Sequence, residues 1–578
     1  MSNPSSIVAH DRVFTVKAYR GDQSVLLAMN LPQASCDGLA GFAIARAPAG
    51  QKLVYVKNRL GFDATKGAYA TKSPQQQLAD ETPSNVSPFQ KFHWVDFPPD
   101  ASTLLTYQVD AMYFDGPSVT AKYSVQFPLT LGGQLFSNFN LGFTRGYISS
   151  QDFADRYGSV RALRPPNLTG EALVTYNTDG DVPGATPKVT WRELYEWLGA
   201  HARSILSDFT EQCKKDGHGF DVFAYDLDEP DFIKFVAGAA KTLGKNAVRM
   251  ILDNATLHTK STAREVQSAK YLAAAGVDLR RGHFKRYAHD KCVIERDANG
   301  EAVRVLTGSA NFSVRGLYVQ SNRVITIDDP QVAGLYGQAF DEAWNDMAQF
   351  ADSEIASEWF DAQGDGIPAF SVSFAPHKTG DVSLDRVAAA IRNAKSSVLF
   401  AVMELAGGGA VMQELTTLMQ RPEIFSYGVT QTTTGIKFYK SDTANGVLVP
   451  FAFLQAHVPP PFTAEWNGGM GQVIHHKFVV IDFNGETPLV YCGSSNLAEG
   501  GEQSNGDNLL EIRDPAVAVF YAVEAIKLVD HYEFRALQQT ATQTQPLVLQ
   551  GSGAPAAWWQ SSFDAKNIKN TERQLFVS

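Results

Sequence analysis

A histidine and a lysine two residues apart occur twice in this 578-residue chain, as His289-Asp-Lys291 and His475-His-Lys477. Each pair is followed by an apolar run, a turn, a second apolar run and Gly-Ser-x-Asn. That last motif is Gly308-Ser-Ala-Asn311 in the first copy and Gly493-Ser-Ser-Asn496 in the second. On an extended strand, residues i and i+2 project from one face, so each imidazole stands beside its ammonium group. One imidazole can attack phosphorus while another protonates a leaving oxygen. Ammonium groups supply charge and amides supply donors. Together they match the non-bridging oxygens of a phosphodiester as its phosphorus becomes five-coordinate, and the scheme needs no metal.

The two copies read as one unit repeated. His289 and Lys291 recur 186 residues further on as His475 and Lys477, Gly308 to Asn311 recur 185 further on, and Asn322 is matched by Asn508 at 186. The turns Asp297-Ala-Asn-Gly300 and Asp482-Phe-Asn-Gly485 make each unit a β-hairpin. Two hairpins related by a pseudo-twofold axis would bring two histidines, two lysines and two asparagines to one point. The glycine ahead of each serine allows a tight backbone and close approach of a ligand.

An α/β framework must position them. Helical patterns at Trp191 to Phe209, Phe232 to Leu243 and Ala263 to Ala275 alternate with the apolar runs Asp221-Val-Phe-Ala-Tyr and Ala247-Val-Arg-Met-Ile-Leu-Asp. That alternation is the grammar of β-α-β units. A polar break at Asp361-Ala-Gln-Gly-Asp-Gly-Ile-Pro restarts it, with a helix over Val382 to Asn393 and a strand from Ser397. Ahead of about Gly132, short alternating runs between turn residues predict a β-sandwich of the immunoglobulin or fibronectin kind, with Trp94 and Phe97 in its core. The expected fold class is α/β: a sandwich over 1–130, two pseudo-twofold-related halves over 131–355 and 356–540, and a tail over 541–578.

The pairing of His289-x-Lys291 with Gly308-Ser-Ala-Asn311, and of His475-x-Lys477-x4-Asp482 with Gly493-Ser-Ser-Asn496, resembles the duplicated HKD signature of the phospholipase D superfamily. The resemblance spans roughly Gly132 to Leu537. It implies a bilobed α/β fold and a two-step reaction through a phosphohistidine, without metal or other cofactor. By that resemblance His289 is the nucleophile and His475 the general acid. Lys291, Lys477, Asn311 and Asn496 would hold the phosphate, with Ser309 and Ser494 in support. Family members orient each histidine through a downstream carboxylate or amide, for which Asp507 and Glu511 in the second half and Gln320 or Asn322 in the first are candidates. Such partners separate two imidazole pKa values that start near about 6.5. One position departs: Asp482 stands where the family has an aspartate that supports the hairpin, but the first copy has Arg296 there. The implied activity is a phosphodiesterase of phospholipase D type, acting on a phospholipid head group by hydrolysis or transphosphatidylation. The alternatives are a nuclease or other nucleic-acid phosphodiesterase, and a catalytically weak binding protein on the same fold.

Composition narrows the partners. Apolar residues at 44% and charged residues at 19% fit a folded globular chain, and its length implies more than one domain. Acidic residues outnumber basic ones, 61 to 50, for a net charge of −11. That balance disfavours a surface that coats nucleic acid but permits a small basic pocket. The expected partner is therefore a phosphodiester substrate, phospholipid ahead of nucleic acid, with peripheral membrane contact. Both half-sites lie in one chain, so a monomer suffices.

The segment Arg280-Arg-Gly-His283-Phe-Lys285-Arg286 either steers an anion or forms a solvated strand edge. The first ten residues lack a basic and an apolar signal region, and the best apolar stretch, Val398 to Val411, is broken by Glu404 and three glycines. A cytoplasmic protein is expected, with signal-independent export left open. Cys36, Cys213, Cys292 and Cys492 show no CxxC spacing. His475 and His476 are strand neighbours that point to opposite faces, which argues against a metal pair. Gly407-Gly-Gly409 lacks a Walker lysine and reads as a strand-helix turn. No Gly-x-Ser-x-Gly elbow marks an esterase. Trp558-Trp559 either enters a membrane interface or covers an apolar patch.

Overall fold

The structure, a computed structural model, describes residues 4–578 except 70, 73, 100–102, 133, 245, 380, 404–407, 431–445 and 451–472. Two four-stranded antiparallel sheets come first. One orders Ser6–Asp11, Phe14–Arg20, Val25–Asn30 and His93–Asp96; the other orders Ser118–Leu129, Leu105–Asp115, Leu39–Pro48 and Val54–Tyr55. Side chains alternate along each strand, so Phe14, Val16 and Leu27 from one sheet meet Phe42, Ile44 and Val109 from the other in one apolar cluster. Trp94 packs on this cluster, its ring stacked on Phe89 at 3.7 Å. Phe97 does not join it. It follows the last residue of its strand and is 47% exposed, a correction to the sequence reading. The tail closes the cluster from outside: Trp558 donates its indole N–H to the Leu39 carbonyl at 2.9 Å, and Trp559 and Phe563 pack beside it. Those tryptophans cover an apolar patch.

Two larger mixed sheets follow. The first contains β1 (Phe139–Phe143), β2 (Gly219–Ala224), β3 (Val248–Asp253), β4 (Asp278–Gly282), β5 (Cys292–Arg296), β6 (Ala302–Gly308) and β7 (Arg323–Ile327), in the order β1-β7-β6-β5-β2-β3-β4. The second contains β8 (Phe370–Ala375), β9 (Ser397–Val402), β10 (Phe425–Thr430), β11 (Gly446–Pro450), β12 (Lys477–Ile481), β13 (Leu489–Gly493) and β14 (Asn505–Ile512), in the order β8-β14-β13-β12-β9-β10-β11. Phe360–Ala362 adds an edge strand beside β8. Strand for strand the two orders are the same. Pairing is parallel along β2-β3-β4 and β9-β10-β11 and antiparallel elsewhere.

Parallel neighbours require crossovers, and the helices Pro230–Leu243 and Arg264–Ala274 supply them after β2 and β3. The helix starts are written in the sequence. Thr190 and Glu193 cap Trp191–Asp216 reciprocally. Glu229, Asp329 and Asp514 accept first-turn N–H groups ahead of a proline at the first helical position. The last of these helices, Pro515–Thr540, is buried along most of its length. Its Tyr521 ring meets Phe143 of the first large sheet and Phe478 of the second. Among the described residues no helix is long and apolar enough to cross a membrane.

Candidate active site

The histidines enter where the chain passes from one sheet to the other. Tyr287–Ala288 pairs in parallel with Asn505 and Gly506 of β14, and the His289 N–H donates to the Gly506 carbonyl at 2.9 Å before β5 begins. The second copy repeats the arrangement. Ile474 bridges Ser321, and the His475 N–H donates to the Ser321 carbonyl at 3.3 Å before β12 begins. Each histidine is therefore anchored by backbone distant from it in the sequence, His289 by Gly506 and His475 by Ser321.

The register of the following hairpins corrects one correspondence. β6 and β7 pair Gly308 with Val324, and β13 and β14 pair Gly493 with Leu509. A Cβ at Gly308 would collide with the Arg323 carbonyl oxygen, and one at Gly493 with that of Asn508. Glycine is required at both positions by this close approach. Asn322 is therefore the counterpart of Asp507, not of Asn508, whose own counterpart is Arg323. The offset changes because the first hairpin is one residue longer than the second.

Those two counterparts hold the imidazoles, each across the boundary between halves. His289 Nδ1 donates to Asp507 Oδ1 at 2.7 Å, and His475 Nδ1 donates to Asn322 Oδ1 at 2.9 Å. The Asn322 amide is fixed in this sense because its Nδ2 donates to the Gly316 carbonyl at 2.8 Å and to Gln320 Oε1 at 3.3 Å. With Nδ1 carrying the proton, Nε2 of each ring keeps a free lone pair. Gln320 thus acts on Asn322 rather than on a histidine. Glu511 orients neither ring. It lies four residues beyond Asp507 on β14 and bonds Tyr491 and Arg513, each at 2.7 Å. The serines also differ from the sequence reading. Ser309 Oγ donates to Asn322 Oδ1 at 2.8 Å, and Ser494 Oγ accepts the Asn508 N–H at 2.9 Å, so both brace the orienting strands.

Each lysine turns back on its own histidine: Lys291 Nζ donates to the His289 carbonyl, and Lys477 Nζ to the His475 carbonyl at 2.7 Å. All four side chains are buried. Burial lowers Lys291 to about 8 and takes Lys477 well below its ordinary value. Burial and then the Lys291 charge also lower His289, against the pull of Asp507. His475 falls further, because Lys477, Lys291, His289 and Arg315 add to the burial. Asp507 stays below the usual carboxylate range because His289 and Lys291 outweigh the burial that would raise it. The charge of a bound phosphate would favour the protonated forms of these lysines and histidines.

Asn311 donates its amide to Asp226 at 2.7 Å, and its Oδ1 is buried with no hydrogen-bond partner among the described residues; Asn496 Oδ1 is in the same state. Three neighbours lie outside the repeated motif. The Tyr225 ring lies 5.0 Å from that of His289 and 5.2 Å from Lys291 Nζ. Asp226 follows it. Arg315, four residues beyond Asn311, has a buried Nη2 with no hydrogen-bond partner among the described residues. Asp290 faces away from the imidazoles: it accepts from Asn508 Nδ2 at 2.7 Å, and burial and then Asp507 push its carboxyl up to about 7.

Other sequence candidates serve the framework. Asp482 accepts N–H groups from Ser396 at 2.7 Å and Ser397 at 3.0 Å, pinning the turn after β12 to the start of β9. Arg296, at the equivalent place, instead joins Asp221 and Asp341. His476 is buried beside Phe143 and Phe478 and bonds Glu524 at 3.2 Å. The four cysteines are buried and free. In the basic segment, Arg280 stacks on Trp344 at 4.0 Å and Arg281 donates to the Asp253 and His258 carbonyls, while His283, Lys285 and Arg286 are exposed. Gly407 and Glu404 lie outside the described residues.

Residues 212–344 match the family described as "Cardiolipin synthase, PLD-like domain". No match was found among curated proteins. Solved structures similar to the chain include polyphosphate kinase from Porphyromonas gingivalis, at 11% identity over 66% of this chain and 52% of that one, with a TM-score of 0.39. The chain thus spans about half the length of that kinase. Phosphatidylserine synthase from Haemophilus influenzae matches at 12% identity over 66% of this chain and 94% of that one, with a TM-score of 0.38. The phospholipase D family member Nuc from Salmonella typhimurium matches at 24% identity over 24% of this chain and 86% of that one, with a TM-score of 0.21.

Proposed function

Taking the chain as a protein of the phospholipase D superfamily, we propose that it cleaves or transfers a phosphodiester through a phosphohistidine, at a site shared by its two halves. In the first step His289 Nε2 attacks phosphorus, forming an N–P bond as the P–O bond to the alcohol breaks. His475 gives its proton to the departing oxygen. In the second step water or another alcohol passes a proton to His475 and displaces His289 from phosphorus. Lys291, Lys477, Asn311 and Asn496 hold the non-bridging oxygens.

The observation that carries this reading is the crossed pair of orienting bonds, Asp507 to His289 and Asn322 to His475. Their difference assigns the roles. A carboxylate behind His289 offsets the positive charge that ring gains on phosphorylation, whereas a neutral amide leaves the His475 proton easier to give up. The two rings are neutral without substrate, and the charge of an incoming phosphate raises the proton affinity of His475. The identical strand orders support the finer fold reading, two pseudo-twofold halves behind an immunoglobulin-like sandwich.

A phospholipid is the favoured substrate, because the matched family is described as a cardiolipin synthase and the net charge of −11 opposes coating of nucleic acid. The proposed setting is a monomer in the cytoplasm with peripheral membrane contact. A substrate panel tests the reading: anionic and zwitterionic phospholipid vesicles, bis(4-nitrophenyl) phosphate and supercoiled plasmid, with wild type, His289→Ala and His475→Ala. The wild type should release head group and form an acid-labile phosphoenzyme. His289→Ala should do neither. His475→Ala should still be phosphorylated by the nitrophenyl ester, whose leaving group needs little protonation. Undiminished rates in both variants would remove the site assignment. Plasmid nicking that falls steeply with salt would transfer the assignment to nucleic acid. Substrate binding without a phosphoenzyme would mark a binding protein.

A further inference from the structure

We propose that Asp226, His258 and Glu265 form a divalent-metal site beside the phosphate cleft, one that positions Asn311 and takes no part in bond cleavage. The three residues come from separate segments: the loop after β2, the turn after β3, and the first turn of helix Arg264–Ala274. One ligand atom from each lies within 4.8 Å of the others.

The His258 ring lies between two carboxylates, an arrangement that also suits a metal-bound imidazole. Its Nδ1 lies 2.7 Å from Asp253 Oδ1, which fixes the tautomer and turns Nε2 toward Asp226 at 3.1 Å. Metal-ligating histidines donate their other ring N–H to a carboxylate in this way. Asp253 itself is held by the Ala255 and Ala288 N–H groups, each at 2.8 Å, so it is an outer support rather than a ligand.

Glu265 is an independent indication. It is 8% exposed, and among the described residues its carboxylate accepts its own backbone N–H but forms no ion pair within 4.0 Å. A buried carboxylate with no cation beside it is costly, and a cation between it, Asp226 and His258 would balance its charge. The Asp226 side chain, 28% exposed, provides a path for entry. One imidazole with two carboxylates suits zinc, manganese or iron(II).

The link to the cleft is direct. The second Asp226 oxygen accepts from Asn311, and Asp253 holds the N–H of Ala288, the residue before His289. A second grouping, Asp216, His218 and Glu295, is not comparable, because Arg304 already pairs with the Glu295 carboxylate and Gln212 with that of Asp216.

The test uses full-length protein stripped with a chelator. Mn²⁺ binding is followed by electron paramagnetic resonance, and Zn²⁺ binding by equilibrium dialysis with metal analysis. One ion should bind per chain. Glu265→Gln and His258→Ala should weaken binding at least tenfold, Asp253→Asn by roughly 10- to 100-fold, and His218→Ala should leave it unchanged. Circular dichroism confirms that each variant is folded. Failure of wild type to bind one ion, or equal binding by Glu265→Gln, would show that His258 is simply an imidazolium bridging Asp226 and Asp253 and would overturn the proposal. The readout does not depend on turnover, so it stands or falls separately from the phosphodiesterase reading.

Discussion

Asp507, on the last strand of the second half, holds Nδ1 of His289 in the first half at 2.7 Å. The bond spans 218 residues of sequence, so the His289 ring is oriented only when the two large sheets are docked. Replacing Asp507 by Asn keeps the shape and removes the charge. We expect kcat to fall about 10²-fold with the melting temperature little changed. Asn322→Asp should instead make the two rings more alike and raise the apparent pKa of the alkaline limb in a kcat–pH profile, where loss of the His475 proton ends activity. Unchanged kinetics in both variants would contradict the crossed orientation.

Arg315 carries a buried Nη2 that meets no acceptor among the described residues. Charged hydrogen bonds contribute about 1.5–3 kcal/mol, so Arg315→Met should weaken binding of a phosphate analogue such as vanadate by roughly tenfold or more. Denaturant midpoints should change little, since this Nη2 has no hydrogen bond to lose among the described residues. A lower midpoint with unchanged vanadate affinity would show Arg315 to be structural.

Restoring the aspartate of the repeated motif in the first half should not help. Arg296 pairs with Asp221 and Asp341, and Asp221 is 2% exposed. Arg296→Asp would put a third carboxylate against that pair, with Arg249 left as the nearby cation. Breaking such a buried pair costs about 3–5 kcal/mol. Urea unfolding should move to lower concentration by that measure, with no gain in turnover.

The leading sheets are fastened to the body by charge. His93 is fully buried with Asp530 at 2.8 Å and Glu572 at 2.6 Å, and Lys91 also pairs with Asp530. Burial opposes the imidazolium, but the two carboxylates outweigh it and raise His93 from 6.5 to about 9. A raised folded-state pKa stabilises fully below the unfolded value, and that stability is lost as pH climbs through the folded one. Melting temperature should therefore decline between about pH 6.5 and 9, for a loss on the order of 3 kcal/mol. His93→Gln should melt lower and lack this slope. A parallel slope in the variant would exclude His93 as its source.

Much of this protein was legible in its residues. The duplicated His-x-Lys and Gly-Ser-x-Asn sets, the hairpins between them and the helices Pro230–Leu243 and Arg264–Ala274 all follow from local pattern, since strand alternation, turn residues and caps act over a few positions. The glycines ahead of the serines read as positions for a tight backbone and a ligand's close approach, but what comes close to them is backbone, the carbonyl oxygens of Arg323 and Asn508.

What local pattern could not supply was pairing across the boundary between halves. Asn322 and Asn508 share a residue type and a sequence offset, but a hairpin one residue longer shifts the strand register, so Asn322 stands opposite Asp507 in the repeat. Glu511 satisfies the same downstream-carboxylate pattern as Asp507, yet it points at Tyr491 and Arg513. Asp226, His258 and Glu265 lie in three segments with no shared motif, and the sheet order brings them together. The sequence by itself determined which groups can do phosphoryl chemistry, because that depends on residue type and short spacing. The tertiary structure decided which partner orients each of them, because a hydrogen bond depends on ångström-scale register between strands distant in the chain.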